Sequence, residues 1–205
     1  MKNSLRFILL ISILFLFAGC STVEPVIDDY VSIAKKNDVS NEYASELAKW
    51  TKKGILYSEF ETRAYIISTY MSPEFRRAYE QEYSRLYELS LSEQIKYSRI
   101  KTNQEKESTE FYVYAYNPDR DAIDFSKADS IWKIYLLDAR GLRIEPIDIH
   151  QIKNINPLVE QLYPYVNQYH GKFYSIKFPP LSAPQKQRLT MVFTGVLGHI
   201  DLVWQ

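Results

Sequence analysis

From Thr109 onward the chain repeats a single pattern. Six short runs rich in Val, Ile, Tyr, Phe and Trp occupy residues 110–116, 130–137, 142–150, 172–178, 188–194 and 199–204. Each is closed by residues that cannot continue a ladder: Asn117-Pro118, Asp138-Ala139-Arg140-Gly141, Pro179-Pro180 and Pro184. Proline has no amide hydrogen to donate, so these positions lie between strands rather than in them. A seventh run spans residues 59–71, where Phe60, Thr62, Ala64 and Ile66 alternate with Glu61, Arg63, Tyr65 and Ile67. Short strands separated by turn signals of this kind favour an antiparallel β-sandwich. Asp138-Ala139-Arg140-Gly141 reads as a hairpin turn between the second and third of the six runs.

Helical signals precede and interrupt this pattern. Residues 26–36 and 41–53 are two short helical candidates, the second with Ser40 as N-cap and Gly54 where a left-handed residue would end it. Ser72-Pro73-Glu74 is a helix start, with a capping hydroxyl, Pro in the first turn and an acid near the positive end of the dipole. Phe75, Tyr79, Tyr83, Leu86 and Tyr87 then recur at three- and four-residue spacing. Ser90 and Glu93 fit a capping box for a further helix that fades into the charged stretch 101–107. These two helices read equally as a hairpin or as one long kinked helix. Residues 156–163 add a helical turn on a connection. The expected fold is α+β but mainly β: an immunoglobulin-like antiparallel β-sandwich of about seven strands. It carries N-terminal helices and a helical insertion over residues 73–107, all within one domain of residues 26–205.

The first twenty residues obey different rules. Lys2 and Arg6 precede an uninterrupted apolar run over residues 7–17, eleven residues long. A helix needs roughly 20 apolar residues to cross the bilayer core, so this run is too short to span and has the length of a signal-peptide core. It ends in Phe17-Ala18-Gly19-Cys20, which resembles the lipobox of bacterial lipoprotein signal peptides, with Phe17 where Leu, Val or Ile is usual. The resemblance covers residues 1–21 and implies several things. Residues 1–19 would be removed, Cys20 would be lipidated, and residues 20–25 would form an acylated tether. Membrane lipid then becomes a partner through Cys20, since two or more acyl chains hold stably where one does not. Ser21 after the Cys implies the outer membrane if the envelope has one, and otherwise the outer face of the cell membrane.

Charge and residue types narrow the chemistry. Cleavage before Cys20 would leave 186 residues with 23 basic groups against 25 acidic ones. Such a balance gives no footprint for nucleic acid, which demands clustered Lys and Arg. Cys20 is the sole cysteine, so its acylation would leave neither a thiol nucleophile nor a disulfide. The acidic stretch Asp119-Arg120-Asp121-Ala122-Ile123-Asp124, with Asp129 beyond, is the best candidate for a cation. It lacks the alternating Asp pattern and the glycine of a calcium loop and carries Arg120 and Lys127, so it reads as a solvated loop. His150, His170 and His199 share no metal-ligand spacing. Glu59 and Glu61 lie on one face of a strand roughly 7 Å apart, a spacing common on any solvated strand. Neither a Gly-x-Ser-x-Gly elbow nor a His-Glu-x-x-His helix is present. No catalytic residue, metal or cofactor is expected.

Tyrosine is the compositional anomaly, with 17 residues. Tyr112, Tyr114 and Tyr116 fall on one side of a strand, with Phe111, Val113 and Ala115 on the other. Either helices cover the three tyrosines or they form an exposed ladder suited to protein interfaces and flat ligands. The apolar stripe Tyr79-Tyr83-Tyr87 needs a partner, which favours the covered arrangement. The function these features suggest is a non-enzymatic structural or interaction module, with Tyr112, Tyr114 and Tyr116 as a possible contact surface for an envelope protein. A chaperone or carrier of envelope components is the alternative, and a hydrolase of cell-wall or surface polymers a further one.

Overall fold

The computed structural model describes residues 38–58, 61–182 and 186–205; the helical candidate 26–36, Cys20 and the signal-like segment lie outside them. Helix α1 (Asn41–Trp50) starts where expected, on Ser40, whose hydroxyl accepts the amide of Tyr43. It ends three residues before the predicted stop, because Thr51 is already extended and opens strand β1 (Thr51–Ser58). Gly54 is therefore not a helix cap but a mid-strand residue. The hydroxyl of Thr51 bonds that of Thr69 at 2.7 Å, tying β1 to its hairpin partner β2 (Glu61–Tyr70).

Helix α2 (Pro73–Leu86) follows, capped by Ser72, and α3 (Leu91–Glu107) is a separate helix. Tyr83 of α2 stacks on Tyr97 of α3, so the pair is a hairpin and not one kinked helix. The chain then enters β3 (Thr109–Tyr116), which pairs with β2. The helical hairpin thus interrupts two neighbouring strands, as its position in the sequence implied.

A long connection with a 3-10 turn (Arg120–Ile123) leads to β4 (Trp132–Leu137), β5 (Arg143–Ile144) and β6 (Asp148–Gln151). Residues 142–150, expected as one strand, are two strands in different sheets: β5 pairs with β4, and β6 with β7 (Lys172–Phe178). Pro146 stands in the crossover, where its missing donor costs nothing. Helix α4 (Pro157–Leu162) lies between β6 and β7, and β8 (Leu189–Gly195) and β9 (Gly198–Trp204) complete the fold. Nine strands stand among the described residues, against about seven expected. The additional ones are β1, read as the end of a helix, and the second half of the split run.

The strands form two antiparallel sheets, ordered β1-β2-β3-β7-β6 and β5-β4-β8-β9. Their facing sides share one core. Ile66, Phe111, Val113, Tyr174 and Ile176 come from the first sheet, and Leu136, Met191, Phe193, Leu202 and Trp204 from the second. The other face of the first sheet is also apolar and lies under helices: Ile67, Tyr114 and Phe173 pack with Tyr43, Leu47, Phe75 and Leu162. The result is three layers, with the first sheet buried on both sides. Along one flank β1 lies against β9 without pairing, and the indole of Trp204 donates to the carbonyl of Trp50 at 2.7 Å.

Candidate functional site

Tyr112, Tyr114 and Tyr116 sit in the layer between the first sheet and the helices. Tyr114 is buried and donates to the carbonyl of Asn167, while Tyr112 and Tyr116 are half-buried. The ring of Tyr112 lies 5.2 Å from that of Tyr163 and 5.6 Å from that of Phe173. Of the two arrangements open to them, the covered one is seen. The cover comes from α1 and from the segment around α4 as well as from α2; Tyr163 and Tyr165 were unreadable as core from a stretch with the look of a connection. Burial pushes the Tyr112 phenol far up and that of Tyr114 up to about 12, so both stay neutral donors at any physiological pH.

Beside Tyr112 is a polar pocket that sequence reasoning missed. Arg76, buried on α2, places Nη2 3.4 Å from Oε2 of Glu110 on β3, and its Nε donates to the carbonyl of Met71. The hydroxyl of Ser175 donates to the other oxygen of Glu110 at 2.7 Å. Lys101 of α3 closes the pocket, with Glu80 and Tyr79. The space left is about 10 Å³, room for one water and no larger ligand. Burial first, with the nearby cations Arg76 and Lys177, holds the pKa of Lys101 below its ordinary value despite the opposing pull of Glu110 and Glu80. A buried ion pair of this kind orients α2 against β3. The one sequence signal for it is a charged residue, Glu110, opening an otherwise apolar run. On the solvent side of the same helices, Arg77, Gln81, Ser84, Gln94 and Ser98 line a polar groove of about 230 Å³.

The second notable surface is one end of the two-sheet body. There the adjoining ends of β1 and β2, the 117–131 connection, the segment before β7 and the β8–β9 turn converge, as the pairs Ser58↔Glu61, Trp132↔Gly195, Ala115↔Lys172 and Gly195↔Gly198 require. Trp132 anchors the long connection by donating to the carbonyl of Ala122, and Tyr174 by donating to that of Ile123. On this scaffold Val196 is 83% and Tyr169 75% exposed, and Tyr57 and Ile131 are exposed as well.

The remaining candidates resolve into local structure. Asp119 caps the 3-10 turn by accepting the amide of Asp121. Asp124 accepts from Ser126 and, at 3.2 Å, from Lys172 on β7; burial raises its pKa and these bonds more than reverse the rise. Asp129 is exposed near the end of the same connection. His150 lies on β6, His170 in the turn before β7, and His199 on β9, where Nε2 stands 2.8 Å from Asp201. His150 and His199 are held apart, since β6 and β9 belong to different sheets. Among the described residues no group of three or more His, Cys, Asp or Glu side chains is placed to hold a metal ion. Glu59 lies outside the described residues, and the side chain of Glu61 is not described. No protein-family model, curated protein or solved structure matches the chain, so its relationships rest on its own geometry.

Proposed function

We propose that this chain is a bacterial envelope lipoprotein, held to the membrane by acylated Cys20, whose folded part is a non-enzymatic protein-interaction module. The anchor is supported by Lys2, Arg6, the eleven-residue apolar run and Phe17-Ala18-Gly19-Cys20. The module is supported by strand order. From β2 on, β2-β3-β7-β6 opposite β5-β4-β8-β9 follows the A-B-E-D and C′-C-F-G order of an immunoglobulin-like sandwich. In that scheme the 117–131 connection is the B–C loop and the β8–β9 turn the F–G loop, two of the loops with which variable immunoglobulin domains bind. The single observation that carries the interaction reading is that four large apolar side chains on the segments at that end, Tyr57, Ile131, Tyr169 and Val196, are exposed.

Two measurements on the acylated chain in its host test the proposal. Mass spectrometry of the mature N-terminal peptide should show a diacylglyceryl group on Cys20, and Cys20→Ser should move the protein out of the membrane fraction. An unmodified Cys20 would end the lipoprotein reading. For the interaction, a photo-crosslinking residue replaces Val196 or Tyr169, and in a control Ala139, which is exposed in the β4–β5 turn at the opposite end of β4. The loop-end positions should capture the same protein while position 139 captures none. Equal capture at all three positions, or none, would overturn the interaction surface.

A further inference from the structure

Helix α3 is poorly held. It is 17 residues long, and its described side chains are all exposed except Tyr97 and Lys101, which are half-buried. Its large aliphatic residues face water: Leu91 is 73% and Ile95 62% exposed, and Ile100 is exposed too. Helices of this length are marginal on their own and owe their stability to a packed apolar face. α3 has no such face against the body. It is docked through one ring and one ammonium group, four residues apart on one side of the helix. The ring of Tyr97 stacks on that of Tyr83, with centroids 4.6 Å apart and planes 3° from parallel. Lys101 closes the pocket that contains Glu80, Glu110 and Arg76.

The surface beneath α3 is better built than the helix lying on it. It has a row of rings, Tyr79, Tyr83 and Tyr112, and at its end two carboxylates, Glu80 and Glu110, among the cations Arg76, Arg77 and Lys177. With α3 lifted away, that surface keeps the ring of Tyr83 and the two carboxylates that Tyr97 and Lys101 of α3 engage, and a ring followed by a cation fits it. At the joint before α3, Glu88 adopts φ +49°, a backbone turn that places a break between the helices.

We infer that α3 is a displaceable cover over a helix-binding groove formed by α2 and the start of β3, and that the groove's other occupant is a partner helix presenting an aromatic ring with Lys or Arg four residues later. Such a helix takes over both anchors of α3. It gains affinity wherever its own apolar residues reach the tyrosine row, as Leu91 and Ile95 do not. The equilibrium needs only to overcome the few contacts that hold α3. This surface is separate from the loop end, and either can fail without the other.

The test uses the full acylated chain in detergent and a fluorescent peptide of residues 91–107. In the variant Tyr97→Ala/Lys101→Ala the cover loses both anchors. The peptide should bind this variant at least about tenfold more tightly than wild type, a difference of about 1.4 kcal/mol. A peptide with the same two alanines should bind neither protein. Equal binding of both peptides, or no binding to the folded variant, overturns the inference. Should the variant not fold, hydrogen exchange on wild type decides: the amides of α3 should exchange at least tenfold faster than those of α2, and equal protection would show that α3 is no cover.

Discussion

At Gly54 the backbone of β1 runs so close to β9 that a Cβ would collide with Cγ2 of Ile200 and stand 3.1 Å from Cδ2 of Leu202. Ile200 and Leu202 are buried in the inter-sheet core and have little room to yield. Gly54→Val should therefore cost about 1–3 kcal/mol, as overpacking does elsewhere, seen as a lower midpoint in urea. An unchanged midpoint would mean that β1 and β9 separate freely. The same residue shows where local reading stops. Lys52-Lys53-Gly54 has the chemistry of a helix end, and nothing within ten residues reveals that β9 will lie across it. The tyrosines of β3 were more legible, because alternation alone assigned Tyr112, Tyr114 and Tyr116 to one face and showed that both faces were apolar. What covers them was only half legible: the stripe on α2 was visible, but Tyr163 and Tyr165 lie where no periodicity singles them out. Arg76 and Glu110 were illegible as a pair, since only the docking of α2 on β3 brings them together.

Between elements, Glu82 does the joining. Its carboxylate, buried on α2, accepts the amide of Ser40 at the start of α1 at 3.2 Å and the guanidinium of Arg85 at 2.7 Å. Burial pushes the Glu82 pKa up, but the bonds from Arg85 and Ser40 prevail and hold it below the ordinary carboxylate value. A depressed acid stabilises the fold above its unfolded pKa and loses that contribution as pH falls through its folded pKa. Glu82→Gln should thus be less stable than wild type at pH 7, by about 1 kcal/mol once the solvent around Arg85 is counted. That difference should close as pH drops below the usual carboxylate range. Urea melts at a series of pH values check it, and a gap that persists in acid would show that the charge plays no part. Helix starts were readable because their chemistry is local: Ser72-Pro73 marked α2, and Ser90 with Glu93 marked α3, where the carboxylate accepts both the amide and the hydroxyl of Ser90. Strand partners were not. Residues 142–150 have continuous β character, and only the change of partner from β4 to β7 divides them.

For the whole molecule, the arrangement to explain is a sheet with two cores. β3 lends Phe111 and Val113 to the inter-sheet core and Tyr112 and Tyr114 to the helical layer, so neither core can come apart while the other keeps its shape. In a Trp50→Phe background the tryptophans report on the first: Trp132 and Trp204 are buried in it, whereas Trp50 packs against both cores. Tyr43 and Tyr163 report on the second. Tryptophan fluorescence and the NMR ring signals of Tyr43 and Tyr163 should be lost at one urea concentration, as a single cooperative unit requires. Earlier loss of the tyrosine signals would mean that the helices form a layer of their own.

The bond from the Trp204 indole to the Trp50 carbonyl bears on how the fold is reached. It joins positions 154 residues apart, and Ile200, Leu202 and Trp204 fill the inter-sheet core from the last of the described strands. Bringing such distant segments together is entropically slow, and contacts of this separation are among the last to form. Until β9 has left the ribosome, β8 lacks one of its two partners, β1 lacks the strand that lies across it, and the core is open along one flank. A chain that is to be threaded through a membrane unfolded, as the proposed export requires, gains from that order. Its own topology delays folding until segments 154 residues apart have both been made, and the sandwich closes only once both are on the same side.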